Sequence, residues 1–387
     1  MSEAKKLINI LFLIDELHLG GTENQLIWLI KNLPSDIFSP YLGVLKINEY
    51  TKKLHGRISI ISFDSPRIPI LRNLDRVKLI KDFINKKAID IVQTQFQNSE
   101  IYGVIASKLS KQKPITISTR RNLFHWVTGF GAKLLFFLTK LVVKNVDMVL
   151  ANSYKVSQLC QELEHIKSSR ISVIQNSVDL KSFSQADSLD SRARLNVSKQ
   201  DIIIGVVANW RPVKGLSVFL DAAALIKKNN KNIRFVLVGH GPQENELKEQ
   251  CDKLGIRNDV VFLDNTTHIP TIINTFDIAV QPSFSESFSN VLLEYMASSK
   301  PIVATCVGDT ELVIEDGEEG LLVNPGDVDG MALAIMELVN SHEKRLRFKQ
   351  NAFRKVKRKW KSDIILQQYL DFYINKVPSI SKKKESV

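Results

Sequence analysis

Residues 282–308 read PSFSESFSNVLLEYMASSKPIVATCVG, and the order of their polar and apolar runs decides the fold. The apolar run ending at Pro282 predicts a buried strand, residues 284–288 a polar turn, and Ser289 or Asn290 an N-cap ahead of Val291, Leu292 and Leu293. The helix therefore opens at the strand's carboxyl end. Its unpaired backbone N–H groups and positive dipole end would face the crevice where open α/β sheets bind ligands, which favours a diphosphate. Glu286 falls before the helix and Glu294 one turn inside it.

The spacing of these two acids separates two chemistries. Were both helical, a rise of about 1.5 Å per residue would set them roughly 12 Å apart, beyond the roughly 5 to 9.5 Å of glycoside-hydrolysing pairs. Two acids so placed can hold the two ends of one extended ligand, each carboxylate accepting hydrogen bonds from hydroxyls. Taken as an isolated pair, Glu286 as a cap and Glu294 as a solvated helix residue is the plainer account. The surrounding sequence shifts that balance.

Outward from this stretch, short apolar runs alternate with helical patterns, as in parallel α/β sheets. Residues 8–14, 41–45, 58–63, 89–92, 115–118, 148–151 and 171–174 predict strands of one lobe. Residues 201–207, 234–238, 260–263, 278–280, 301–304 and 320–323 predict a second sheet. A polar stretch at 182–200 reads as a linker. The expected organisation is a first, acceptor-side lobe at 1–185, a linker at 186–200, a ligand-binding lobe at 201–352, a C-terminal helix at 353–376 and a disordered tail at 377–387.

Two glycine-bearing turns have local explanations. Gly20-Gly21 follows the first strand and precedes a helix, so its backbone can approach a ligand closely, although a βα turn also wants glycine for itself. In ANWRPVKG, residues 208–215, Arg211 and Lys214 lie just beyond a strand, where fixed positive charges neutralise a leaving diphosphate. No G-x-G-x-x-G follows either first strand, which excludes the dinucleotide fingerprint.

The segment around Glu286 and Glu294 resembles the E-x7-E signature of the retaining GT-B glycosyltransferases of family GT4. Further blocks fall in the same order: GGTE at 20–23, QNSVDLKSF at 175–183, ANWRPVKG at 208–215, VGHGP at 238–242, and the stretch 300–311. The resemblance implies an α/β, GT-B architecture of two Rossmann-like parallel-sheet lobes facing across a cleft, with the C-terminal helix returning to the first lobe. It implies transfer of a sugar from a nucleoside-diphosphate donor to an acceptor hydroxyl with retention, without a metal ion. Glu286 would hold the donor sugar, Glu294 the ribose, and Lys214 and Arg211 the diphosphate. Gly20, Gly21, Gly239 and the helix start at Ser289, Asn290 and Val291 would complete the nucleotide site. A UDP-sugar is the expected co-substrate ahead of a GDP- or ADP-sugar, with no other cofactor, a glycan or lipid-linked acceptor, and no nucleic acid partner.

The chain departs from the family pattern in four places. Asn209 stands where arginine is usual, and Arg211 comes two residues later. Ser287 and Ser289 replace glycines of the acid motif, which narrows the sugar pocket or adds a hydroxyl ligand. Arg121 takes the place of a first-lobe histidine, with Arg120 beside it, so these two are read as acceptor-side or charge-stabilising residues. His125 nearby is a candidate substitute or a packed ring. Asp327-Val-Asp329 reads as helix capping rather than a metal clamp.

Composition fits a two-lobed cytoplasmic enzyme. At 387 residues with 44% hydrophobic positions the chain can bury full cores, and three scattered cysteines exclude a disulfide framework. The net charge of +12 concentrates at 342–361, and residues 130–146 carry a basic amphipathic pattern behind Phe124 and Trp126. Both attract an anionic membrane surface, which places the enzyme peripherally on the inner face of the cell membrane; an ordinary lobe helix explains 130–146 equally well. A GT-B sugar-nucleotide epimerase and a silent membrane scaffold are the alternative functions. Retention of Glu286, Glu294 and Lys214 counts against a scaffold, and the scarcity of histidines against an epimerase.

Overall fold

Six apolar residues and Asn9 make up the run INILFLI, whose last five residues are buried, and form the first strand, β1 (Ile8–Ile14). Strands buried on both faces read as continuous apolar runs, and here they signal parallel sheets. The computed structural model describes residues 7–18, 20–54, 59–65, 69–121, 142, 144–184, 192, 195, 197–198, 200–228, 230, 232–264 and 269–376. It divides into two compact units, Met1–Gln175 with Ile365–Val387, and Asn176–Ile364.

In the first unit β1 is followed by β2 (Phe38–Val44), β3 (Ile60–Ser62), β4 (Ile91–Thr94), β5 (Ile115–Arg120), β6 (Met148–Ala151) and β7 (Ile171–Val173). All pair in parallel in the order β3-β2-β1-β4-β5-β6-β7. The helices are α1 (Gly21–Asn32), α2 (Glu49–Leu54), α3 (Pro69–Lys86), α4 (Gln97–Leu109) and α5 (Tyr154–Leu163). Helix α5 begins at Ser153, whose hydroxyl accepts from Val156 N at 3.0 Å, an N-cap of the usual kind. One face of the sheet buries Leu11, Leu13 and Val92 against Ile80, Ile84 and Ala106 of α3 and α4.

The second unit holds α6 (Leu180–Ser184), β8 (Ile202–Val207), α7 (Leu216–Lys227), β9 (Ile233–Val238), α8 (Glu244–Leu254), β10 (Val260–Leu263), α9 (Ile269–Thr275) and β11 (Ile278–Gln281). Then come α10 (Asn290–Ala297), β12 (Ile302–Thr305), α11 (Thr310–Val313), β13 (Gly320–Val323), α12 (Val328–Asn340) and α13 (His342–Lys359). Its parallel sheet runs β10-β9-β8-β11-β12-β13. Helices α7, α8 and α12 cover one face, where Phe219, Phe235, Leu237, Leu247 and Ile335 pack fully buried. Asp327 caps α12 by accepting from Gly330 N at 2.8 Å, as expected from the sequence.

The units meet the sequence expectations for the two series of strands, while the helix expected over 353–376 is two pieces. Helix α13 ends at Trp360, and α14 (Ser362–Asp371), followed by a π turn (Phe372–Lys376), leaves the second unit at Ile364 and enters the first at Ile365. The break has a cause: Trp360 is buried, and Lys361 forms a parallel bridge with Val178. Tyr373 seals the returning segment into the first unit, with its hydroxyl donating to Gln93 Oε1 at 2.6 Å and its ring 5.9 Å from Phe38. The chain enters the second unit at Asn176, ahead of the polar stretch expected to separate the lobes. Residues 176–184 pack there because Asn274 Nδ2 donates to Phe183 O at 3.1 Å and Asn176 Nδ2 to Phe288 O at 3.4 Å. Most of 186–200, the tail 377–387 and residues 122–141, which include Phe124, His125, Trp126 and most of the amphipathic stretch, lie outside the described residues.

Candidate active site

In the second unit β8 lies beside β11, and the chain leaves the two strands toward opposite edges of the sheet. That is the switch point at whose carboxyl side open α/β sheets take ligands. The loops after these strands interlock there. Phe284 N donates to Val213 O at 2.8 Å, and a Cβ on Gly215 (φ 64°) would come within 2.0 Å of Pro282 O. Glycine is therefore required where the lysine turn meets the acid loop.

This interlock brings together two residues 72 positions apart: Lys214 Nζ donates to Glu286 Oε1 at 2.6 Å. Ser283 Oγ donates to the same oxygen at 2.9 Å. Their side chains are 24% and 14% exposed, so the pair remains reachable from solvent. The far side of the loop rests on Gly308 (φ 58°), where a Cβ would lie 2.0 Å from Glu286 O, and Asp309 N donates to Ser287 O at 3.2 Å. Arg211 is exposed at the head of the short turn Pro212–Lys214 and forms no side-chain bond among the described residues.

Gly239 ends β9 against the same turn. At φ 146° a Cβ there would lie 1.8 Å from Ala208 O, and Trp210 N donates to His240 O at 2.8 Å. The two turns thus hold each other's backbone.

Helix α10 opens beside the acid loop. Ser289 is its N-cap in extended conformation, yet its hydroxyl makes no capping bond. Asn290 Oδ1 is buried without a hydrogen-bond partner among the described residues, and Val291 is half-buried. Among the described residues the first-turn N–H groups have no side-chain acceptor, so the positive end of the helix is available to an anion. Glu294, one turn inside, forms no ion pair or side-chain hydrogen bond among the described residues, and burial pushes its carboxyl up to about 7. Tyr295 pins the helix to the sheet, accepting from Val207 N at 2.8 Å and donating to Val280 O at 3.3 Å.

In the first unit Gly20 is the extended N-cap of α1, and Gly21 begins the helix. A Cβ on Gly20 would lie 2.5 Å from Glu23 Oε2, so the Glu23 carboxylate folds back onto this backbone. Glu23 is 6% exposed; burial raises its pKa, opposed by backbone hydrogen bonds and by the charges of His18 and Arg121. In the sequence Glu23 stands out only as an acid two residues beyond the glycine pair, in the first turn of a helix.

Arg121 is 9% exposed at the carboxyl end of β5, within the electrostatic reach of Glu23 and Tyr373. Arg120 lies elsewhere. Its guanidinium donates to Glu100 Oε1 at 2.9 Å, to Glu164 Oε1 and Oε2 at 3.1 Å each, and to Ser118 Oγ. An arginine so enclosed, beside acids 2% and 8% exposed, has its donors committed inside the unit rather than to an acceptor. The neighbouring acids hold its pKa above the usual arginine value despite burial.

No three His, Cys, Asp or Glu side chains gather as a metal site among the described residues. The three cysteines are free. Among the described residues no helix is long and apolar enough to cross a membrane. Part of the basic charge of α13 is used internally: Lys355 pairs with Glu319 at 2.8 Å and Lys344 with Glu337 at 2.7 Å, while Arg354, Lys357, Arg358 and Lys359 are exposed.

A family described as Glycosyltransferase Family 4 matches residues 19–182, and one described as Glycosyl transferases group 1 matches residues 187–355. The UDP-Gal:alpha-D-GlcNAc-diphosphoundecaprenol alpha-1,3-galactosyltransferase of Escherichia coli is 26% identical over 377 residues, covering 92% of this chain and 95% of that protein. The D-inositol 3-phosphate glycosyltransferase of Mycobacterium marinum is 29% identical over 209 residues, 52% of this chain and 44% of the relative, so the match spans less than half of that protein. Among solved structures, the Anabaena HepE protein in complex with UDP superposes with a TM-score of 0.84 at 22% identity, over 95% of this chain and 99% of that one.

Proposed function

The chain belongs to the GT-B glycosyltransferases of the family 4, group 1 type, and from that membership we propose that it is a retaining, metal-independent enzyme moving a sugar from a UDP-sugar to a hydroxyl of a glycan or lipid-linked acceptor. GDP- and ADP-sugars are the other donors the same site chemistry accommodates. The observation that carries the reading is the Lys214–Glu286 contact at 2.6 Å beside the uncapped start of α10. It assembles a cation, an acid and a helix tip at the carboxyl end of two adjacent strands.

Each residue has a physical role. Lys214, Arg211 and the N–H groups at Ser289, Asn290 and Val291 stabilise the diphosphate as negative charge builds on it, with Gly239 shaping the turn beneath. Diphosphate binding draws the Lys214 ammonium from Glu286, whose carboxylate then accepts from donor-sugar hydroxyls near the reacting carbon. Glu294 accepts from the ribose hydroxyls. In the first unit Arg121 is an acceptor-side cation, and Arg120 ties β5 to Glu100 of α4 and to Glu164. The acceptor oxygen attacks the anomeric carbon from the face the diphosphate leaves; its proton passes to the departing phosphate oxygen, and the bond from carbon to that oxygen breaks. No enzyme base is needed, since a guanidinium at Arg121 cannot serve as one at neutral pH.

The E. coli relative's name specifies a lipid-linked diphosphoundecaprenol acceptor, which supports a proposed role for this chain in bacterial surface polysaccharide or lipopolysaccharide assembly. The exposed cations of α13 would then face the anionic inner surface of the cell membrane from the cytoplasm. The test is product analysis: with a panel of UDP-sugars and membrane lipid acceptors, the transferred sugar keeps the donor's anomeric configuration by NMR, and a chelator leaves the rate unchanged. An inverted linkage, or a rate abolished by chelator and restored by a divalent ion, contradicts it.

A further inference from the structure

The acid loop of the second unit is anchored from behind. Phe288, two residues beyond Glu286 and flanked by serines, is 5% exposed, and its ring lies 6.0 Å from that of Trp360, itself 3% exposed. The Phe288 carbonyl accepts from Asn176 Nδ2 at 3.4 Å. Asn176 is where the chain enters this unit, and Trp360 shortly precedes its exit at Ile364. The two passages are also tied to each other: Val178 N donates to Trp360 O at 3.0 Å, and Ser362 Oγ donates to Val178 O at 3.0 Å. One residue of the site loop therefore touches both segments that carry the chain to the other unit, Trp360 through its ring and Asn176 through its carbonyl.

We infer that Phe288 is a positioning residue that couples nucleotide occupancy at the acid loop to the order of both chain passages. This rests on the donor site proposed above. The Glu286 side chain is held by Lys214 and Ser283, and a diphosphate competes for the first of these. What then fixes the loop is its backbone support on Gly308 and the Phe288 anchor. A buried ring in a close-packed knot transmits displacement, because neither Trp360 nor Asn176 can stay while Phe288 shifts without opening a void. Loop and passages accordingly tighten or loosen as one body.

Hydrogen exchange with UDP as the probe tests the coupling. In the wild-type protein UDP slows exchange at the acid loop and, by about tenfold, at 176–178 and 360–362. Phe288→Ala binds UDP within about tenfold of wild type and keeps protection at Gly215 and the α10 start, but loses it at both passages. Trp360→Ala does the same, and the double variant loses no more than either single one, because the two act through one contact. Phe288→Leu restores most of the protection. Should Phe288→Ala not fold, Asn176→Ala carries the test through the carbonyl tie alone, with a partial loss. Passages that remain protected in a folded Phe288→Ala, or effects that add independently in the double variant, overturn the inference and leave the donor site standing. Failure of the wild-type protein to bind UDP overturns both.

Discussion

The two units share a strand order around their first strand, yet they treat the helix tip beside it in opposite ways. In the first unit that helix is α4, and Asp15, just beyond β1, takes its tip: Ser99 N donates to Asp15 at 2.6 Å, Asn98 N at 3.3 Å and Asn98 Nδ2 at 2.9 Å. In the second unit the matching helix is α10, and among the described residues no side chain caps it. The acid of its loop, Glu286, is held by Lys214 instead. A carboxylate at a helix tip satisfies the N–H groups and adds the charge that would repel a phosphate. On the proposed reading an anion binds where the dipole end is left uncompensated, which makes the second unit the donor side.

Four substitutions break or sharpen this contrast. The largest effect is expected at the acid loop: Glu286→Gln should lower turnover in a UDP-release assay by roughly a hundred- to a thousandfold while UDP still binds. An active variant would remove Glu286 from the sugar site. Next comes the internal charge of the first unit. Arg120→Met leaves Glu100 and Glu164 buried without their partner and should cost about 3–5 kcal/mol in denaturant unfolding, whereas a loss of acceptor affinity with unchanged stability would return Arg120 to the acceptor side.

Glu294 gives a pH signature. Its folded pKa, pushed by burial from 4.5 to about 7, lies above the unfolded value. The free protein therefore gains stability from the retained proton that is full below pH 4.5, falls as pH rises, and is gone past about pH 7. Glu294→Gln should match wild type in thermal melting at low pH and exceed it above neutrality. UDP, whose ribose hydroxyls need the ionised form, should bind the wild type more tightly as pH rises through about 7, and the variant should lack that rise. An equal pH slope in both would detach Glu294 from the ribose. The smallest effect is at the closed tip: Asp15→Ala should cost about 1 kcal/mol of stability as a lost cap and leave UDP affinity unaltered. A large fall in affinity would mean that the two tips are not opposite in function.

Much of the fold is legible in the sequence because strand and helix periods are local. The run 8–14 and the start of α10 at Ser289 are written in consecutive residues. The glycines at 215 and 308 announce turns, but not that each turn is pressed against the acid loop. Long-range pairing is what the sequence withholds. Nothing local says that Lys214 meets Glu286, that Arg120 reaches Glu100 and Glu164, or that Trp360 ends a helix by packing on Phe288. Arg120 illustrates the cost: next to Arg121 it reads as half of a basic pair, while the fold buries its guanidinium between Glu100 of α4 and Glu164 at the end of α5.

The central claim is that the uncapped tip of α10 and Lys214 hold the donor's diphosphate, and a calorimetric titration of UDP into wild type and Lys214→Ala tests it most directly. Binding to the wild type and a loss of about a hundredfold in affinity in the variant are expected, since a charge-assisted contact to phosphate is removed. Equal affinities in the two proteins would contradict it.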